Sequence, residues 1–390
     1  MPWISKLGIG LHPLPESIGD NVNMQHWSNR RLLELLKLEI PIIQAPMAGS
    51  DSVALARSVS STGALGSLAC ALLSPEDVRE AVRAIRYEMT RPFNLNFFCH
   101  TMDAPDAGAT EKWKNFLRPH YERLGLDIET VAASRLRLPF NDEMCDVVEE
   151  VRPDVVSFHF GLPAPDLIER VKQRGIKVLS SATSMQEAKW LESRGCDAII
   201  AQGIEAGGHR AMFLETNVAT QVGLFALLPQ VVDAVSVPVI AAGGIADARG
   251  VVAAFALGAS GVQLGTAYLF CPEAKVSPLY RRALEDASHH GTALTNLFSG
   301  RPARGILNRF LLESGPMSGA PPAFPYAATL IAQLRAASEK AGSLDYMQLW
   351  AGQAAGLVKS MPAGQFTRQL AADVLALCTP DDLAHETPHA

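Results

Sequence analysis

The sequence predicts a (β/α)8 barrel, an α/β fold, with a helical insertion and a C-terminal helical extension. Three observations lead there. Eight short apolar runs alternate with helical segments, glycines cluster where those runs end, and no dinucleotide fingerprint opens the chain. The runs are Pro41–Met47, Gly63–Cys70, Phe93–Phe98, Val155–Phe160, Lys177–Thr183, Ala198–Gly203, Val237–Gly244 and Gly261–Leu269. Their length and their flanking Gly or Pro favour strand over helix. Ser74–Met89, Pro163–Arg174, Met185–Arg194 and Ala248–Leu257 read as helices, the last three each ending near a glycine that can cap it. Ser74 and Asp77 suit the N-terminus of the first. Strand–helix alternation implies right-handed crossovers and a parallel sheet, and eight units suggest closure. An open doubly wound sheet is the weaker alternative: Gly8-Ile9-Gly10 follows no strand, and Pro13 stands where a third glycine belongs.

Three parts follow from this pattern: an N-terminal extension (1–38), a barrel (39–270) interrupted by an insertion (101–152), and a helical extension (271–390) expected to pack on the barrel mouth. Gly315–Pro325 reads as a linker or lid loop, the segments after it as two helices, and the last dozen residues as a frayed tail.

Composition excludes several classes. Of 390 residues, 48% are hydrophobic and 19% charged, so a large core is available. The net charge of −6, with no basic stripe, argues against nucleic acid as partner. No uninterrupted apolar stretch is long enough for a membrane span, and the first ten residues are too short an apolar run for a secretory signal. Six scattered cysteines lack zinc-type spacing and read as reduced thiols of a cytoplasmic protein. Cys99 and Cys271 follow strands closely enough to reach a pocket.

Barrel chemistry sits at the C-terminal ends of strands. There the sequence offers Gln44-Ala45-Pro46-Met47, Asn96, the run Gln202 to His209, Gly243-Gly244 and Gln263-Leu264-Gly265-Thr266. Glycines 243, 244 and 265 let backbone N–H groups approach phosphate oxygens, and Thr266 adds a hydroxyl. The helix beginning near Ala248 can add its positive end. Gln44, Asn96 and Gln202 are uncharged amides that can pair with the polar edge of a flavin, or simply brace the barrel mouth. His209 follows two glycines and is suited to proton transfer. His159 is the second candidate, and Glu205 a loop-stabilising acceptor.

The segments IIQAPMAG (42–49), FNLNFF (93–98), SFHFG (157–161), AQGIEAGGH (201–209), PVIAAGGIAD (238–247), GVQLGTAYL (261–269) and LFSGRPARG (297–305) resemble those of nitronate monooxygenases. The resemblance covers roughly residues 40 to 340. It implies non-covalent FMN, with Gln44, Ala45, Pro46 and Met47 facing the flavin and Asn96 and Gln202 nearby. Gly207, Gly243, Gly244, Gln263, Gly265 and Thr266 would hold ring and phosphate. His209 would be the catalytic histidine and His159 a pocket residue. The implied reaction oxidises a nitronate with O2 to a carbonyl compound and nitrite, without metal. The histidine serves as base when a neutral nitroalkane is used.

One departure stands out. A tail pattern Tyr-Pro-x-x-Tyr-x-x-x-Lys of that family is matched here by Phe324, Ala328 and Ala332, with Tyr326 a neighbouring substitute. Losing the cation and hydroxyls leads to the expectation of a wider, more apolar pocket and a larger substrate. An NAD(P)H-dependent FMN reductase of the enoyl-thioester or quinone type remains the alternative, as does a non-catalytic flavin-binding barrel. A barrel of the inosine-monophosphate dehydrogenase type would want a cysteine after the sixth strand, and a Schiff-base aldolase a lysine at a strand end; neither is present. The partners expected are a small-molecule substrate and O2, with a homodimer left open.

Overall fold

The computed structural model describes Trp27, residues 29–131 and residues 136–378. Most of the 1–38 extension and the polar tail from 379 onward therefore lie outside the described residues. The strands are β1 (Ile42–Gln44), β2 (Gly66–Ala69), β3 (Phe93–Phe98), β4 (Val155–His159), β5 (Lys177–Ala182) and β6 (Ala198–Gln202). They continue with β7 (Gly208–His209), β8 (Val239–Ala242), β9 (Gly261–Leu264), β10 (Thr292–Thr295) and β11 (Ala303–Ile306).

Among the described residues, eight parallel strands run in the order β1-β9-β8-β6-β5-β4-β3-β2. The ring closes between β1 and β2. Ile43 bridges Leu65, Gln44 N donates to Leu65 O at 2.9 Å, and Leu65 N donates to Ile42 O at 3.0 Å. This is the predicted (β/α)8 barrel. Its strands are covered by side chains inside and helices outside, which is why they read as continuous apolar runs rather than alternating ones. Val156, Phe158, Ile199 and Ile240 are all fully buried.

The strands end earlier than the apolar runs suggest. Residues 45–47 and 243–244 leave their strands as loops, and the run Gly261–Leu269 breaks at Gly265 into β9 and a short helix, Thr266–Leu269. The surrounding helices start where short polar side chains cap them. Ser74 accepts from Asp77 N while Asp77 answers the Ser74 backbone, a reciprocal cap on Pro75–Arg86. Ser52, Asn141, Ser184 and Asp247 cap Val53–Ser60, Asp142–Val151, Met185–Ser193 and Ala248–Ala256 in the same manner.

Two excursions interrupt the repeat, and each differs from a simple add-on. Within 101–152, Asp142–Val151 packs between Pro75–Arg86 and Pro165–Gln173 and so belongs to the barrel's helix ring. The excess is the stretch before it, with helix Ala107–Arg123. After Phe270 the chain is not purely helical, since β10 and β11 form an antiparallel sheet with β7. Its last helix, Ala363–Cys378, packs against Ala248–Ala256 and Val53–Ser60 and closes the helix ring on the barrel's side. The helix Ala327–Lys340 instead meets Ala107–Arg123. Trp113 Nε1 donates to Ala327 O at 3.2 Å and Tyr121 Oη to Leu330 O at 2.5 Å. Trp113, Leu117, Phe298, Phe310, Leu334 and Tyr346 make a second apolar core there. No described helix is long and apolar enough to cross a membrane.

Candidate active site

A cavity of about 390 Å³ opens at the C-terminal ends of the barrel strands, roofed by the two excursions. Of the residues singled out at the strand ends, Gln44, Gly203, Ile204, Glu205 and Leu264 lie outside its lining and the others line it. Ala45, Pro46 and Met47 form one wall, Gly243, Gly244, Gly265 and Thr266 the far end, and Asn96, His159, Gln202, Gly207, His209 and Gln263 the floor and opposite side. Gln44 is a correction. It is fully buried, its Oε1 accepts from Ser67 N at 2.8 Å, and its Nε2 donates to Ala45 O. Its amide stitches the seam where β1 meets β2.

The far end is built of backbone. Gly243 and Gly244 have φ of 111° and 69°, a region that costs a side chain dearly. A Cβ on Gly243 would stand 3.0 Å from Ala206 N. At Gly265 such a Cβ would meet Ala45 Cβ at 3.5 Å and Met47 Sδ at 3.9 Å, in ordinary van der Waals contact. Thr266 Oγ1 accepts from Gly352 N at 2.9 Å and keeps its own proton free to donate. The helix Ala248–Ala256 contributes less than its position suggests, because the Asp247 carboxylate already takes Gly250 N. Lys275, absent from the sequence reading, lines the cavity too.

Gln263 Oε1 is buried in the wall with no hydrogen-bond partner among the described residues. Asn96 donates to Ser157 O and Oγ at 3.1 and 3.0 Å. Gln202 is committed at both ends: Nε2 donates to His209 O at 3.0 Å and Oε1 accepts from Ala211 N at 2.9 Å. These bonds hold the histidine loop and, among the described residues, leave the second Nε2–H of Gln202 unused on the cavity lining.

His209 is placed by strand pairing. It pairs with Ala303, and Gly208 with Arg304, in the β7–β11 ladder. Two arginines clamp the preceding loop by its carbonyls. Arg210, fully buried, donates to Gly203 O at 2.6 Å and Gln202 O at 2.7 Å, and Arg304 donates to Ile204 O at 2.9 Å. Glu205 accepts from Leu224 N at 2.9 Å, the loop-stabilising role read for it. His159 Nε2 lies 3.2 Å from His209 O, so it donates there alongside Gln202.

The tautomer of His209 follows from Ser299. Its Oγ donates to Arg301 O at 3.2 Å and accepts from Arg301 N at 3.3 Å. Assigning that proton to Arg301 O makes the imidazole the donor in the 2.9 Å contact between His209 Nε2 and Ser299 Oγ. Nδ1 is left as the bare nitrogen. Burial, then the positive charge of Arg137, hold the His209 imidazolium far below its ordinary range. Burial likewise pushes His159 down to about 3.

An aromatic wall stands beside His209. Phe324 lies 5.5 Å and Trp350 5.6 Å from its ring, Phe98 and Phe160 slightly farther. Phe160 adopts φ 70°, a left-handed conformation costing a bulky residue about 1 kcal/mol and concentrated at functional sites. Behind the wall is His100, missed by the sequence reading, with neither ring nitrogen partnered among the described residues. Cys99 and Cys271 do not line the cavity.

The model of the nitronate monooxygenase family matches residues 29–373. A "Nitronate monooxygenase" from Paraburkholderia phytofirmans is 43% identical over 87% of this chain and 94% of its own length. The chain belongs to the nitronate monooxygenase family. A solved nitroalkane oxidase from Streptomyces ansochromogenes superposes with TM-score 0.81 at 37% identity, over 89% of this chain and 98% of that one. A solved FabK from Thermotoga maritima gives 0.68 at 29%, over 90% and 97%. Membership makes the chain an enzyme of a flavin-dependent oxidoreductase family.

Against that family's tail pattern, Phe324 joins the aromatic wall, and Ala332 is exposed on the helix Ala327–Lys340. Tyr326 does not substitute for the missing hydroxyls. Its Oη donates to Asp103 O at 2.7 Å, away from the cavity wall. The expectation of a pocket stripped of cations is corrected too. Arg137, from the insertion, and Arg335, one turn beyond Ala332, both line the cavity. Neither was legible, because nothing local to their sequence points at the barrel mouth.

Proposed function

We propose that this chain binds FMN without a covalent link in the barrel-mouth cavity and oxidises nitronates with O2 to a carbonyl compound and nitrite. The observation that carries it is one cavity lined by both a side-chain-free glycine cradle and a desolvated histidine held by Ser299. A phosphate fits where Gly243, Gly244 and Gly265 leave backbone N–H groups exposed and Thr266 and Lys275 add donors. The buried, unpartnered Gln263 Oε1 is an acceptor waiting for the N–H edge of a ring. Ala45, Pro46 and Met47 offer a flat apolar face beside it. On this reading residues 39–270 hold the cofactor and residues from 271 close over it, and the six free thiols suit a reducing cytoplasm.

When bound, FMN supplies one-electron oxidation chemistry and the route to O2. The chain's own residues bind, orient and exclude water. Phe98 and Trp350, lining the cavity beside His209 with Phe160 and Phe324 against the same imidazole, exclude water there. His209 presents Nδ1 as a neutral acceptor, fixed by Ser299 through Nε2 and by His159 and Gln202 through its carbonyl. An imidazole held so far below its ordinary range is a weak base. The site therefore suits a preformed, anionic nitronate better than a neutral nitroalkane, whose C–H proton His209 must first remove.

The test is an absorption spectrum followed by propyl-2-nitronate in air, with nitrite and oxygen measured. A yellow protein that consumes oxygen, releases nitrite and prefers the nitronate over the nitroalkane is expected. A protein that cannot be loaded with FMN overturns the reading. The likeness to FabK keeps a nicotinamide-dependent reductase as the second reading. Anaerobic bleaching by NADH or NADPH, without nitronate turnover, would select it.

A further inference from the structure

The cavity lining includes a cation that no described residue neutralises. Arg137 is partly buried and lines the cavity, and its guanidinium makes no hydrogen bond or ion pair among the described residues. Two influences dominate its charge, burial and the like charge of Arg335, and both disfavour it. Removing a guanidinium from water without an acceptor is costly, and such a group is retained where a ligand supplies the acceptor. Its position relative to the chemistry is clear from His209, on which Arg137 exerts the largest charge effect of any residue. The other basic groups are otherwise engaged. Arg301 lies over the Phe160 ring at 4.1 Å and donates to Met212 O. Arg335 is exposed at the rim, with Glu339 on the same helix face. Lys275 follows the short helix Thr266–Leu269, and its backbone is tied to Ser50 O, on the glycine-cradle side.

Resting on the nitronate reading above, we propose that Arg137 binds the negatively charged oxygens of the substrate's nitronate group. The group is planar with two oxygens on one nitrogen, the geometry a guanidinium fork meets with two parallel N–H···O bonds. With a neutral nitroalkane, the C–H bond breaks, its proton passes to His209 Nδ1, and the electron pair spreads onto the nitro oxygens facing Arg137. The charge created on substrate and imidazole is thus opposite in sign, and Arg137 stabilises the half that His209 cannot.

FMN-loaded Arg137→Met and Arg137→Lys test this. Loss of one charge-assisted pair predicts a KM for propyl-2-nitronate raised about 10- to 100-fold in Arg137→Met, with kcat changed far less. Arg137→Lys should recover part of it. Nitrate, a planar anion that is not turned over, should inhibit the wild type competitively and perturb its flavin absorption; Arg137→Met should lose both effects. Wild-type KM and wild-type nitrate inhibition in Arg137→Met would overturn the proposal. Should Arg137→Met fail to retain flavin, Arg137→Gln carries the same comparison. The nitrate titration stands apart from turnover. A wild type that binds nitrate through Arg137 yet ignores nitronates sinks the proposed reaction and leaves the anion site.

Discussion

The two ends of the cavity are built on opposite principles. The glycine end comes from adjacent strand termini, β8 and β9, and works through backbone. The histidine end is assembled from the insertion (Arg137), β4 (His159), the β7–β11 ladder (His209) and the C-terminal segment (Ser299, Phe324, Trp350). The first is a local property of sequence, while the second exists only once distant segments meet. On the function proposed above, the difference divides the tasks: the glycine end would grip the cofactor and the histidine end would select the substrate.

The largest effect should come from filling the glycine end. Gly243→Val places a branched side chain at φ 111° with its Cβ 3.0 Å from Ala206 N and 3.2 Å from Gly203 O. We expect FMN affinity to fall by about 100-fold or more, the equivalent of about 3 kcal/mol, as read by flavin fluorescence titration. Phe324→Leu, at the other end, should leave that affinity unchanged and alter only nitronate KM. Equal losses in both variants would erase the distinction between the ends.

Next comes Ser299→Ala, which releases His209 Nε2 and lets the ring choose its tautomer. Turnover of a neutral nitroalkane, which needs Nδ1 bare, should drop about tenfold. Turnover of the preformed nitronate should change by less than about threefold. A parallel fall for both substrates would mean that Ser299 shapes the cavity rather than the tautomer.

These contrasts explain what was readable beforehand. The barrel was legible because the strand–helix units carry local marks, an apolar run with a helix cap or a glycine beside it, as in Ser74 with Asp77 or Gly243 with Gly244. His209 was legible because it sits at a strand end. That Ala303 and Arg304 would pair with His209 and Gly208 was not, since antiparallel pairing across such a separation leaves no local mark. Gln44 misleads for a related reason: an amide at a strand end looks the same whether it faces a ligand or braces a neighbour, and only its partners decide. Arg137 and Arg335 were invisible because each sits on an excursion whose docking onto the mouth depends on the second core around Trp113 and Tyr346.

A smaller effect sharpens the histidine end. Ala332 is exposed on the helix that carries Arg335 and Glu339 to the rim. If Arg137 already meets the substrate's charge, Ala332→Lys should change nitronate KM by less than about threefold in the wild type, the scale of an exposed charge pair. In Arg137→Met the same lysine should lower KM measurably. A large KM decrease in the wild-type background would show that the anion still lacks a cation there.

The smallest effect concerns stability, at the loop joining the two ends. Asp51 is buried; its Oδ2 accepts from Met47 N at 2.9 Å and Ala69 N at 2.8 Å, holding the Ala45–Met47 face against β2. Burial raises its carboxyl from 3.8 to about 7, against the pull of those N–H donors and of Lys275. Between these values the folded chain keeps a proton that the unfolded chain has released. The contribution is therefore full below about pH 4 and is withdrawn as pH rises toward 7, at up to about 1.4 kcal/mol per pH unit. Asp51→Asn retains an acceptor oxygen for both N–H groups and cannot titrate. Its melting temperature should fall less between pH 5 and 7 than that of the wild type, and identical pH profiles would show that Asp51 stays ionised in the fold, stabilised by the donors at Met47 and Ala69.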